Sequence, residues 1–268
     1  MKKKTILVAA IAVMLVAALV VGGTLAYFTD KTEAKQNTFT VGNVKIDLTE
    51  DKWNAAADHT LVPGKFYDKN PTIKVDANSQ DAYVFLKLDL NKYVSLINLM
   101  GVDAYKNHID GLGVQEDDTY PGFVKFVELL ASNNRLRADV LDRWFVGVNH
   151  DEWKVMNLDQ IKADVAAAKN GQNPEHLVVV LGYQKGDGVV KAGTEVKFMD
   201  QFGMPSTVTT SMFNGEDAYR VGDVSKSNFN TDNGAFKMTF TAYAIQASEI
   251  NSLDAAYTAL GGYEAFAK

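Results

Sequence analysis

The chain has 268 residues, no cysteine, and 27 Lys+Arg against 33 Asp+Glu, a net charge of −6. Without cysteine, disulfides and thiolate metal sites are excluded. An acidic balance removes the main driving force for nucleic-acid binding, which is counterion release by basic side chains.

The first predicted element is an apolar leader. Lys2, Lys3 and Lys4 are followed by Ile6 to Val21, a run built only of Ile, Leu, Val, Ala and Met. No charge stands between Thr5 and Thr29, and about 20 apolar residues are enough to cross a bilayer as a helix, so length alone leaves an anchor open. Gly22-Gly23 interrupts the run, and Thr24 and Ala26 put small residues at the two positions a signal peptidase reads. Residues 1–26 therefore read as a signal peptide cleaved between Ala26 and Tyr27, with membrane contact only before cleavage. The mature 242 residues would carry 24 basic and 33 acidic side chains, a net charge of −9.

Residues 27–36 (YFTDKTEAKQ) form an extended segment without proline or glycine. Residues 37–268 read as one domain. Thr38 to Leu48 alternates apolar and polar residues in two runs joined at Gly42-Asn43, a strand with a bend. Pro63-Gly64 marks a turn. Thr72–Asp76 and Ala82–Leu90 alternate again, the second with Val84, Leu86, Leu88 and Leu90 on one side and Tyr83, Phe85 and Lys87 on the other. Such half-buried strands suit an antiparallel sheet.

From about residue 91 to 134 the period lengthens into a helical insertion, with a stripe of Phe123, Val124, Phe126, Val127, Leu129 and Leu130. Val140–Val148 is strand-like. Asn157 then opens a helix with Gln160 as its capping-box partner, ending near Gly171. Leu177–Tyr183, Val189-Val190 and Glu195–Met199 are strands divided by glycine turns. Ala235–Ala247 is the most regular strand, and Ser248–Leu260 is a terminal helix closed by Gly261-Gly262. Many short alternating strands with turn signals predict a mainly β, antiparallel sandwich with helical insertions.

Few residues suggest catalysis. His59, His108, His150 and His176 are at least 26 residues apart, and no HExxH or HxxEH pairing occurs. The His150-Asp151-Glu152 triplet reads as a polar turn. Neither GxSxG nor SxxK is present, Gly111-Leu112-Gly113 lacks the third glycine of a dinucleotide loop, and there is no Walker A pattern. Asp110 and Glu116-Asp117-Asp118 depart from the ligand order of an EF-hand and read as a solvated acidic loop. Trp144, Phe145 and Trp153 read as core anchors rather than a carbohydrate platform, since Trp144, Val146 and Val148 alternate as one strand face. No catalytic residue, cofactor site or metal site is assigned.

The opening run through GGTLAYFTDKTEAKQNTFTVGNVKIDL resembles the camelysin/TasA family of exported Gram-positive proteins. Thr24-Leu25-Ala26 followed by Tyr27-Phe28-Thr29-Asp30 matches that family's cleavage region, Asn37 to Leu48 its first strand, Pro63-Gly64 its "PG" turn, and Tyr243–Ala247 its last strand. The resemblance implies a jelly-roll-like sandwich, processing by a SipW-type signal peptidase, export to the cell surface, and assembly into biofilm matrix fibres. Camelysin members are classed as zinc endopeptidases, a role for which this sequence shows no helical ligand pair.

On this basis the mature N-terminus is expected to complete the sheet of another copy by strand addition. Tyr27 and Phe28 would be the anchors, and the polar residues from Thr29 and Asp30 onward the backbone donors. The expected partners are the chain itself in a head-to-tail homopolymer, the signal peptidase during export, and an accessory matrix protein. Alternatives are a cell-surface metalloendopeptidase and a monomeric adhesin that uses Tyr93, Tyr105, Tyr120 and Phe123 of the insertion.

Overall fold

The computed structural model describes residues 29–31, 44–54, 61–91, 96, 143–169, 176–208 and 236–267. In chain order the strands are β1 (Thr29–Lys31), β2 (Ile46–Thr49), β3 (Phe66–Asp68), β4 (Thr72–Val75), β5 (Ala82–Asn91), β6 (Phe145–Val146) and β7 (Trp153–Val155). Helix α1 (Leu158–Lys169) follows, then β8 (His176–Tyr183), β9 (Val189–Val190), β10 (Glu195–Lys197), β11 (Gln201–Gly203) and β12 (Met238–Gln246). Helix α2 (Leu253–Ala259) and a 3-10 turn at Gly262–Ala265 end the described chain.

Among the described residues every pair of strands is antiparallel. The largest sheet runs β1-β12-β5-β8-β7, with β9 also pairing β5, and two three-stranded sheets run β10-β4-β2 and β3-β11-β6. Val84, Leu86 and Leu88 of β5, Leu177, Val179 and Leu181 of β8, and Phe240, Ala242 and Ala244 of β12 share one apolar cluster with Ile46, Ile73 and Val75 of one small sheet and Phe145 and Phe202 of the other. The fold is thus mainly antiparallel β and sandwich-like, as the alternation predicts. Leu96, the one described residue of the expected helical insertion beyond β5, is buried in that cluster.

Strands β5 and β8, and the second half of β12, are not half-buried. Tyr83 and Phe85, on the second face of β5, join Val178, Val180, Tyr243 and Ile245 in a separate cluster closed by Leu253, Ala256 and Phe266. Apolar residues on both faces explain this: Phe85 is as fully buried as its neighbours Val84 and Leu86. The covering piece is the C-terminal segment. Ser252 caps α2 by accepting the Ala255 N–H at 3.1 Å. Gly261 and Gly262, at φ 106° and 61°, then turn the chain so that Phe266 reaches Phe85 at 5.9 Å and Tyr243 at 4.4 Å between ring centroids.

In this second cluster the Tyr257 phenol is pushed up to about 12, by burial first and by Tyr263 second. A raised folded value means that this contribution is fully present below the unfolded value of 10 and fades as the pH climbs toward about 12. Thermal midpoints should therefore fall across that window, and Tyr257→Phe should soften the fall without abolishing it, because burial raises Tyr83, Tyr183 and Tyr263 as well. Circular-dichroism melts at stepped pH check this; a variant whose midpoint falls as steeply as the parent's refutes it.

Two local expectations are corrected. Of the strand-like run 140–148, the described residues keep only β6, since Gly147 sits at φ 73° with Asp200 where a Cβ would be. Trp144 and Phe145 are consecutive yet both buried, which breaks the expected alternation although Trp144 and Trp153 are core residues. The expected capping box is also replaced. Asn157 is buried, its amide donates to Val178 O and accepts from Val180 N–H, each at 2.8 Å, and Gln160 pairs with Asp164 instead. Asn157 thereby extends the β7–β8 ladder by a side-chain amide.

Candidate functional site

Strand β12 is the structural centre of the edge that matters. Its sequence MTFTAYAIQ alternates so that Phe240, Ala242 and Ala244 enter the main core while Tyr243 and Ile245 enter the second cluster. One side of β12 pairs with β5 without interruption from Met238↔Leu90 to Gln246↔Ala82. The other side receives β1, with Thr29 opposite Ile245, Asp30 opposite Ala244 and Lys31 opposite Tyr243.

The end of β12 beside this contact is held by its continuation. Ala247 N–H donates to Asp81 O at 2.8 Å, Ile250 N–H donates to Ala247 O at 3.2 Å, and the Tyr83 hydroxyl donates to Ile250 O at 3.3 Å. Glu249, at φ 65°, makes the turn into α2. Asp81 is itself fixed by the Ala192 N–H and Lys191, which hold its carboxyl below the usual range.

Of the residues expected to act in assembly, Thr29 and Asp30 are thus in β1 on the edge of their own sheet. Tyr27 and Phe28, and the cleavage residue Ala26, lie outside the described residues. The pairing of β1 with β12 was missed at the sequence level, because cross-strand register over some 200 residues leaves no local signal.

The histidines and acidic residues give a different picture. His150 lies in a polar turn, where Glu152 N–H donates to Asn149 O at 3.1 Å and the Glu152 carboxylate accepts Lys185 Nζ at 2.6 Å. His176 Nδ1 is 2.7 Å from Asp89 Oδ1. Among the described residues no group of three or more His, Asp or Glu side chains stands close enough to hold a metal ion. These residues do not fit a zinc centre. His59, His108, Gly111-Leu112-Gly113 and the acidic run at 116–118 lie outside the described residues, as do the insertion's Tyr93, Tyr105, Tyr120 and Phe123. Among the described residues no helix is long and apolar enough to cross a membrane.

Fold and edge together define a sandwich-like β protein whose N-terminal strand is added to the rim of its main sheet. The family model described as camelysin metallo-endopeptidase matches residues 1–91. The match takes in the leader and β1 to β5, ends with β5, and supports the resemblance carried by the leader. No curated protein and no solved structure matches the chain.

Proposed function

We propose that the chain is an exported structural protein of the cell surface or matrix that polymerises head to tail, residues 27–36 of one copy completing the β12 edge of the next. The observation that carries this reading is the antiparallel pairing of β1 with β12. Continuing that register residue by residue would set Gln36 opposite Met238 and Phe28 opposite Gln246, so that the segment would cover the 9 residues of β12 with Tyr27 one position beyond it. A heterologous contact that does not close gives a filament.

The same register refines the anchors. Adjacent strand residues point to opposite faces, so Tyr27 would fall on the Tyr243 and Ile245 face, toward the C-terminal helix, and Phe28 on the other. Each backbone hydrogen bond contributes about 1 kcal/mol net, so the two aromatics would supply much of the affinity by burial. Cleavage after Ala26 by a SipW-type peptidase, release from the membrane, and a jelly-roll order of strands belong to the same reading, which the family match supports at the coarser level of a cell-surface protein.

Deleting residues 27–36 behind an intact cleavage site tests the proposal. The secreted product is expected to remain folded by circular dichroism and to form no fibres in electron micrographs; undiminished fibres overturn strand exchange. A peptidase reading rests on the family description alone. Chelator-sensitive cleavage of casein by the purified protein would establish it in place of the structural one.

A further inference from the structure

Resting on that reading, we propose that β1 is also the subunit's own cap: it closes the β12 edge of the chain that carries it, and assembly begins only when it leaves. The pairs Thr29↔Ile245, Asp30↔Ala244 and Lys31↔Tyr243 are all within one chain. An uncovered sheet edge is a template for uncontrolled pairing, and a strand held in cis removes that template at the place where a neighbour would bind.

The order of strands says which partner moves. Among the described residues β12 is hydrogen-bonded on both sides, to β5 and to β1, whereas β1 stands at the end of the sheet. Opening free energies follow local contact, so the end strand opens first and β12 stays in the sheet. In the proposed fibre register residues 32–36 would be paired, which leaves 37–43 as the tether to Val44, seven residues that span at most about 25 Å. On that tether β1 would leave one edge and seat on another in the same register. Exchange then replaces like with like, as in domain swapping, so dilution favours the closed monomer and concentration favours the fibre.

The absence of cysteine makes the test clean, because an introduced pair has no competing thiol. Asp30→Cys with Ala244→Cys in the secreted, processed protein joins residues directly opposite each other, and opposed Cα atoms of paired strands stand about 4.5–5.5 Å apart, within disulfide range. Oxidised at high dilution, the protein should run as a crosslinked monomer that joins no fibres until reductant is added. Thr29→Cys with Ile245→Cys repeats the experiment on the other face if the first pair does not fold. A crosslink found only between chains at high dilution, or none, overturns the cap while leaving strand exchange standing. A crosslinked monomer that polymerises as well as the reduced protein overturns both.

Discussion

Phe266→Ala is expected to lower the free energy of unfolding by about 3–5 kcal/mol, the range for truncating a fully buried aromatic, as measured by urea denaturation. Phe266 has no exposed surface and meets Phe85, Tyr243 and Tyr257 at 5.9, 4.4 and 5.6 Å between ring centroids. Its loss leaves a cavity on the face of the sheet that Leu253 and Ala256 of α2 also cover. The effect also reaches the rim. Tyr243 and Ile245 are the residues opposite Lys31 and Thr29, and their side chains rest in the cluster that Phe266 closes. The variant should therefore also form the Asp30–Ala244 crosslink in lower yield. A loss below about 1 kcal/mol, the scale of an ordinary surface change, would mean that the C-terminal segment does not hold this face.

The large sheet was legible because its strands are long. Ala82–Leu90, Leu177–Tyr183 and Ala235–Ala247 carry enough alternation for the period to be read, and they became β5, β8 and β12 within a few residues. The short strands β3, β7 and β11 have three residues each, too few to display a period, and their place is set by long-range partners. At β11 the reason is steric: a Cβ on Gly203 would meet the Lys65 carbonyl and stand 2.6 Å from Phe66 Cα, so glycine here permits the close approach of β3. Asn157 shows the same competition at a helix start, where the unpaired backbone of β8 outbids the local capping pattern. For the β1–β12 edge, the sequence singled out the extended segment through its composition but held no sign of which strand pairs with it. The second face of β5 was readable in part, since Tyr83 and Phe85 are apolar on the supposedly wet side; what covers them lies about 170 residues away.

Glu50→Ala is expected to cost about 2–3 kcal/mol, somewhat below the range for stripping one member from a fully buried ion pair, because the Glu50 side chain keeps 19% of its exposure and Lys69 keeps 9%. Lys69 Nζ lies 2.8 Å from both Glu50 carboxylate oxygens, 4.2 Å from the Trp53 ring centroid and 5.6 Å from that of Phe240. Glu50 follows β2, Lys69 follows β3 and Phe240 belongs to β12, so one ammonium ties the three sheets together beside β12. Removing the carboxylate strands the ammonium among aromatic faces, which return only part of the lost attraction. Adding Lys69→Met removes the stranded charge and keeps an unbranched apolar stem against Trp53, so the double variant should recover to within about 1 kcal/mol of the parent. Urea unfolding of both singles and the double gives the coupling directly. Additive losses would show that the pair is an incidental surface contact, and that β12 owes its position to apolar packing alone.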